Sequence, residues 1–123
     1  MRDDKHFYRY ICDDDTFVGE VAYYLDLERE IYIADVVVYA PYRGKGYGYQ
    51  GLSLLCENAK NNGVKELYDD IAIDNPSINL FLKHGFKEVL RTDEYVLVKK
   101  KLWKISKKKA CRTQVKMIPL YKA

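Results

Sequence analysis

Along the chain the period of apolar and polar positions changes several times, and each change marks an element. Residues 6–12 (HFYRYIC) and 17–25 (FVGEVAYYL) mix aromatic with β-branched residues, and they stop at charged breaks, Asp13-Asp14-Asp15 and Asp26 to Glu30. Both read as strands. The run Ile31 to Tyr39 (IYIADVVVY) is nearly continuous in such residues, which predicts a strand buried on both faces. Short connections make the three an antiparallel meander. Beyond Pro41 and a group of glycines, Tyr49, Leu52, Leu55, Cys56 and Ala59 recur at helical spacing, and Gly63 suits a left-handed cap. Residues 65–73 return to a strand pattern. Strand, helix and strand form a crossover unit, so this strand is expected to lie parallel to the third.

Asp74-Asn75-Pro76-Ser77 supplies a second helix start, with Asn75 as N-cap and Pro76 at the first helical position, where its missing N–H costs nothing. Ile78, Phe81 and Leu82 form the expected apolar stripe of a short helix that Gly85 closes. Residues 86–91 and 94–102 read as a hairpin turning at Thr92-Asp93, and Gln114 to Leu120 as one further strand. The expected class is α/β with a mixed α+β sheet: a meander, a parallel crossover, a second short helix and a C-terminal hairpin.

Composition narrows this picture. With 123 residues, 48% of them hydrophobic, there is room for one domain and its core. The expected division is a folded domain over 1–103 and a basic tail over 104–123. No apolar run approaches the roughly 18 to 20 residues that span a bilayer, and Met1-Arg2-Asp3-Asp4-Lys5 mixes both signs of charge. Cys12, Cys56 and Cys111 are far apart, with His6 and His84 the sole imidazoles, so neither a disulfide framework nor a zinc site is expected. Cys56 falls on the apolar stripe of its helix and reads as core. A cytoplasmic protein without a membrane or metal partner fits these features.

The net charge of +3 conceals an asymmetry, because Lys99 to Ala123 holds ten Lys and Arg and no acid: the body is −7 and the tail +10. Such a tail is usually a solvated face or docks on the protein's own acidic body; nucleic acid is not the expected partner.

The chemistry concentrates in Pro41-Tyr42-Arg43-Gly44-Lys45-Gly46-Tyr47-Gly48-Tyr49-Gln50-Gly51, between a strand and an amphipathic helix. Glycines let successive N–H groups point into one concavity at a helix N-terminus, which favours an anion. A triphosphate-binding loop would need G-x-x-x-x-G-K-[ST]; here Gly46 follows Gly44-Lys45, and Tyr39 stands five positions before Gly44. Gly46, Gly48 and Gly51 match the letters of the dinucleotide motif, but three antiparallel strands precede them where that motif follows the first strand of a parallel sheet. Arg43, Gly46 and Gly48 fit a third frame, Arg-x-x-Gly-x-Gly. Tyr42, Tyr47 and Tyr49 read chiefly as packing residues.

With this turn, and with DNPSINLFLKHGF from Asp74 to Phe86, the chain resembles the GNAT family of N-acetyltransferases over residues 6–102. The resemblance implies acetyl-CoA as cosubstrate. Arg43, Gly44, Lys45, Gly46, Tyr47 and Gly48 would hold its pyrophosphate, and the pantetheine arm would lie between strands 31–39 and 66–73. Backbone N–H groups near Val37 and Val38 would bind the thioester carbonyl, while Asp74 and Phe81 stand where the family contacts the cofactor arm. The reaction implied is acetyl transfer to a primary amine of a small molecule or a protein. An alkylammonium near pKa 10.4 is neutral about once in 2,500 at pH 7, a deficit of about 4.6 kcal/mol, so a base is needed. Asp35, in Ala34-Asp35-Val36-Val37, is similar in position to the family's catalytic glutamate, and Glu20 on the neighbouring strand is the second candidate.

Two departures stand out. Phe81, four residues before Gly85-Phe86, occupies the place of a tyrosine that in many members protonates the thiolate; solvent or another tyrosine such as Tyr95 would have to serve. The sequence also starts at the segment that in the family follows a strand and two helices walling the acceptor site. The acceptor cleft is therefore expected to be open, or covered by a second subunit, as in a homodimer, or by the basic tail. An acyl-CoA-binding module or an interaction protein with little turnover is the alternative reading.

Overall fold

The computed structural model describes residues 6–102 and the strand at 115–119. Strands β1 (His6–Asp13), β2 (Thr16–Asp26) and β3 (Ile31–Val38) are followed by a short 3-10 turn (Ala40–Tyr42) and helix α1 (Tyr47–Asn61). Then come β4 (Glu66–Ala72), α2 (Ser77–Lys83), β5 (Lys87–Arg91), β6 (Tyr95–Lys101) and β7 (Val115–Pro119). They form one seven-stranded sheet in the order β5-β6-β4-β3-β2-β1-β7.

The meander follows from its turns. Asp14 and Asp15 alone separate the paired residues Asp13 and Thr16, and Asp14 takes φ 58°, a left-handed position that aspartate tolerates. At the next turn the Asp26 carboxylate accepts the Glu28 and Arg29 N–H groups at 3.1 and 3.3 Å, fixing the reversal. The Arg29 guanidinium then bridges Asp26 at 2.8 Å and Asp70 on β4 at 3.0 Å, tying the meander to the crossover strand.

Helix α1 covers one face. Gly51, Leu52, Leu55, Cys56 and Ala59 are buried against Phe7, Ile11, Val21, Tyr23 and Ala34, and α2 adds Phe81 to the same cluster. Cys56 is core, with its thiol pushed up to about 12 by burial. The opposite face carries Tyr8, Glu20, Tyr24, Asp35 and Val37, which the strand registers place side by side. No described helix covers it.

That uncovered face corrects one expectation. Strand β3 is buried on both sides only at Ile33 and Ala34; Asp35 and Val37 are exposed, Val37 by 46%. In α2 the stripe is also displaced: Leu82 points outward, and Leu80 joins Ile78 and Phe81 against the core. The helix begins at Ser77 rather than Pro76, but the Asn75 side chain still accepts the Ser77 N–H at 2.9 Å. Strand β7 lies antiparallel to β1, so this part of the tail extends the sheet. The proposed boundary at 103, residues 104–114 and Cys111 lie outside the described residues. Among the described residues no helix is long and apolar enough to cross a membrane.

Candidate functional site

The sheet comes apart at one place. Strand β3 pairs with β2 along eight residues, from Gly19↔Val38 to Asp26↔Ile31, yet meets β4 at a single parallel pair, Ile33↔Tyr68. Strand β4 instead pairs fully with β6. Beyond Ile33 the two parallel strands part, and their carboxyl ends open toward the N-termini of α1 and α2. A crevice there is the usual ligand position of an α/β sheet.

Backbone direction sets what faces the gap. Tyr39 N–H donates to Val18 O at 2.8 Å, so in this register Glu20/Val37 and Ala22/Asp35 are also hydrogen-bonded pairs. The N–H of Val37 is therefore spent on β2. Those of Val36 and Val38 point the other way, toward β4. On the β2 side the close fit has its own requirement, since a Cβ on Gly19 would stand 2.3 Å from Val37 O.

At the end of β3, Pro41 sits in the 3-10 turn, and Arg43 Nε donates to Val38 O at 2.9 Å, which pins the start of the glycine turn to the strand. Gly44 and Gly46 take φ +78° and +90°, and Gly46 is the residue that caps α1. Nothing lies within 4 Å of where their Cβ atoms would be. The concavity is thus open and lined by main chain. Tyr47 anchors its far side by donating from its hydroxyl to the Asp13 carboxylate.

A cavity of about 660 Å³ lies over this turn, with Arg43, Gly46 and Gly48 on one side and Asn79, Leu80 and Lys83 of α2 on the other. A second, of about 400 Å³, runs from Val36–Val38 to Asn75 and Ser77. The two share Val38, Arg43 and Leu80, so one groove leads from the glycine turn to the gap. Of the residues singled out in the sequence, Val38, Arg43, Gly44, Gly46, Tyr47 and Gly48 line the first cavity, and Val37 the second. Lys45 is exposed nearby without lining it, and Asp74 is exposed in the turn before α2. Phe81 reaches neither cavity; it is 1% exposed in the core, edge-on to Phe86 at 4.9 Å. Sequence reading missed the α2 wall, although Asn79 and Lys83 are four apart and so share a helix face.

The two carboxylates proposed as bases differ in their surroundings. Glu20 accepts hydrogen bonds from the Tyr8 hydroxyl and, at 2.6 Å, from the Tyr39 hydroxyl. Tyr8 is pushed up to about 12, chiefly by that hydrogen bond, and Tyr39 upward by burial and then by Glu20. Asp35 has no ion pair among the described residues, because Arg29 is taken by Asp26 and Asp70. Although the residue is exposed, its carboxyl is set among the strands deeply enough that desolvation, followed by the charge of Asp70, pushes its pKa up. Beside them on β4, Asp69 is 9% exposed and pushed up to about 8, by burial first and then by Asp35 and Asp70. Nothing in the local sequence separates Asp69 from Asp70; only strand alternation does. Tyr95, on β6 opposite Ala72, is half-buried.

A glycine turn entering a helix, a groove lined by main-chain N–H, and two parallel strands that part beside it agree with a family model covering residues 1–86, described as the acetyltransferase (GNAT) family. The chain belongs to the GNAT family. Two Bacillus subtilis relatives are similar to it: YycN, an uncharacterized N-acetyltransferase, 37% identical over 76 residues, and YwnH, a candidate phosphinothricin acetyltransferase, 40% identical over 75. These matches cover 61% and 60% of this chain, which spans 46% and 43% of the relatives' lengths. Among solved structures, the GNAT fold is shared with yncA of Salmonella typhimurium, a candidate acetyltransferase solved with its cofactor acetyl-CoA (TM-score 0.67, 21% identity, 84% of this chain and 70% of that one). The GNAT domain of S. lividans PAT is also similar (TM-score 0.72, 15% identity, 83% of this chain and 64% of that one).

Proposed function

We propose that this GNAT chain binds acetyl-CoA along the groove and transfers its acetyl group to a primary amine by direct attack. The observation that carries the reading is the continuity of the groove: open main chain at Gly44 and Gly46 at one end, the unpaired gap between β3 and β4 at the other. The N–H groups around Gly44–Gly48, at the positive end of α1, suit a pyrophosphate, with Arg43 adjacent. A donor lying in the gap meets Val36 and Val38 N–H, which suit a thioester oxygen as negative charge grows on it. Acetyl-CoA would supply an activated acyl carbon and a thiolate leaving group.

Asp35 is the base in this reading. It stands on β3 between those two donors and the open face, unpaired and partly desolvated, whereas Glu20 is occupied by two hydroxyls and serves to hold Tyr8 and Tyr39. The uncovered face beside Asp35 is where the amine would approach. Acyl-CoA binding without turnover is the second reading, favoured by the burial of Phe81, which has no proton to give. Calorimetry with acetyl-CoA followed by thiol release in the presence of a panel of amines separates them. Binding with amine-dependent release is expected; binding without release for any amine would leave the second reading, and no binding would end both.

A further inference from the structure

Resting on the reading of the groove as the acetyl-CoA site, we propose that Tyr49 and Lys83 form a subsite at its outer end for the 3′-phosphoadenosine of coenzyme A, so that the chain selects acyl groups carried on that nucleotide. Helix α2 orders the groove along its length. Ser77 lines only the cavity beside the gap, Leu80 lines both cavities, and Lys83 lines only the one over the glycine turn. At about 1.5 Å per residue, Lys83 stands roughly 9 Å along the axis from Ser77, in the direction away from the gap. Coenzyme A has the same order, because its pyrophosphate joins pantetheine on one side to adenosine and the 3′-phosphate on the other. With the pantetheine toward the gap and the pyrophosphate at the turn, the nucleotide is left with the outer end.

The residues there suit its two parts. Tyr42 and Tyr47 pack against the core, but Tyr49 does not; it is 42% exposed and lines the outer cavity. Its ring is nevertheless held. It lies 4.7 Å from the ring of His84, which is fixed in turn by Ser53 Oγ at 2.8 Å and by Lys100, whose ammonium donates to the His84 carbonyl at 2.8 Å. An exposed aromatic ring with a set orientation offers a purine a stacking face at little ordering cost.

Lys83 supplies the charge. It is exposed, pairs with no carboxylate among the described residues, and shares a helix face with Asn79, which also lines the outer cavity. Arg43 is placed for the other phosphates: it lines both cavities, at their joint, and its Nε is spent on Val38 O. Lys45 carries charge nearby but does not line the outer cavity. A lysine in the last turn is also favoured by the helix dipole, which accounts for the residue type but not for its place on the cavity wall. The donor class follows from this. An acyl group on a phosphopantetheine arm without the nucleotide, as on a carrier protein, would fill the gap and the turn and leave the subsite empty.

The test is calorimetry of the full chain at low ionic strength with three probes: acetyl-CoA, acetyl-dephospho-CoA, which lacks the 3′-phosphate, and acetyl-4′-phosphopantetheine, which lacks the adenosine as well. The wild type should bind them in that order, each step costing about tenfold in affinity. Lys83→Gln should bring acetyl-CoA and acetyl-dephospho-CoA within about twofold of each other, because only the 3′-phosphate distinguishes them. Lys87→Gln, which removes the same charge from exposed β5, should keep the wild-type ratio. Tyr49→Leu should shrink the second step and keep the first. Equal binding of acetyl-CoA and acetyl-dephospho-CoA by the wild type, an unchanged ratio in Lys83→Gln, the same collapse in Lys87→Gln, or an unchanged second step in Tyr49→Leu would overturn the subsite and leave the groove reading standing. Binding of none of the three probes by the wild type is instead the failure of the groove reading, and the subsite falls with it.

Discussion

Strand β3 treats its two neighbours in opposite ways, and the difference is the functional content of the fold. Toward β2 it is closed by eight paired residues, and a glycine at 19 lets the backbones approach. Toward β4 it is joined at one pair, and the N–H groups left over point into the gap. The closed side fixes the register of β3. The open side leaves donors free that a complete ladder would have consumed, without a buried side chain having to supply them. A site built this way depends on backbone geometry, so its residue identities are constrained mainly where a side chain would intrude.

The largest effect should come from blocking the mouth of the open side. Gly46→Val places a β-branched residue at φ +90° with its methyls in the concavity, and the thermal shift that acetyl-CoA produces in the wild type should vanish. A variant still stabilised by acetyl-CoA would place the pyrophosphate elsewhere. Next, Asp35→Asn should lower kcat about 100-fold while acetyl-CoA affinity by calorimetry stays within a few-fold; equal loss of both would remove Asp35 from the role of base.

The closed side should respond in stability rather than in rate. Gly19→Ala sets a methyl 2.3 Å from Val37 O, so chemical denaturation should show a loss of about 1 to 3 kcal/mol as the β2–β3 ladder shifts. An unchanged midpoint would mean that β3 is not held as described. The smallest effect is expected behind the groove wall, at His84, whose ring lies 4.7 Å from that of Tyr49. Its Nε2 lies 2.8 Å from Ser53 Oγ and its Nδ1 3.3 Å from Lys100 Nζ, and burial, then that ammonium, lowers its pKa to about 4. Folded His84 binds its proton less readily than the unfolded chain does near 6.5, so its contribution is present above pH 6.5 and is lost as pH falls toward 4. His84→Gln should flatten that part of the stability profile, measured by urea titration at several pH values. A profile identical to the wild type would show the ring to be outside the coupling.

Legibility in the sequence followed the range of the interactions involved. The meander, the crossover and the α2 start could be read because their signals are local: Asp-rich turns, helical spacing from Tyr49 to Ala59, Asn75 before Pro76. The glycine turn could be read for the same reason, since Gly44, Gly46 and Gly48 lie within five residues. Position in a motif does not say which way a helix rotates, and packing against Phe86 turns Phe81 inward, away from both cavities. Leu82, expected in the apolar stripe, faces outward for the same reason. The exposure of Val37 depended on what lies over the sheet, which strand composition does not state.

By itself, then, the order of residues along the chain determined which segments are strands and helices and where an anion could be held, because hydrophobic period, caps and turn residues act within a few positions. Tertiary structure alone decided that β3 and β4 separate after one pair, that Glu20 is bound by Tyr8 and Tyr39 while Asp35 is not, and that Asp69 rather than Asp70 is buried. Each of those outcomes depends on register and face between segments tens of residues apart. A shift of one residue in that pairing would exchange the two aspartates without changing a letter of the sequence.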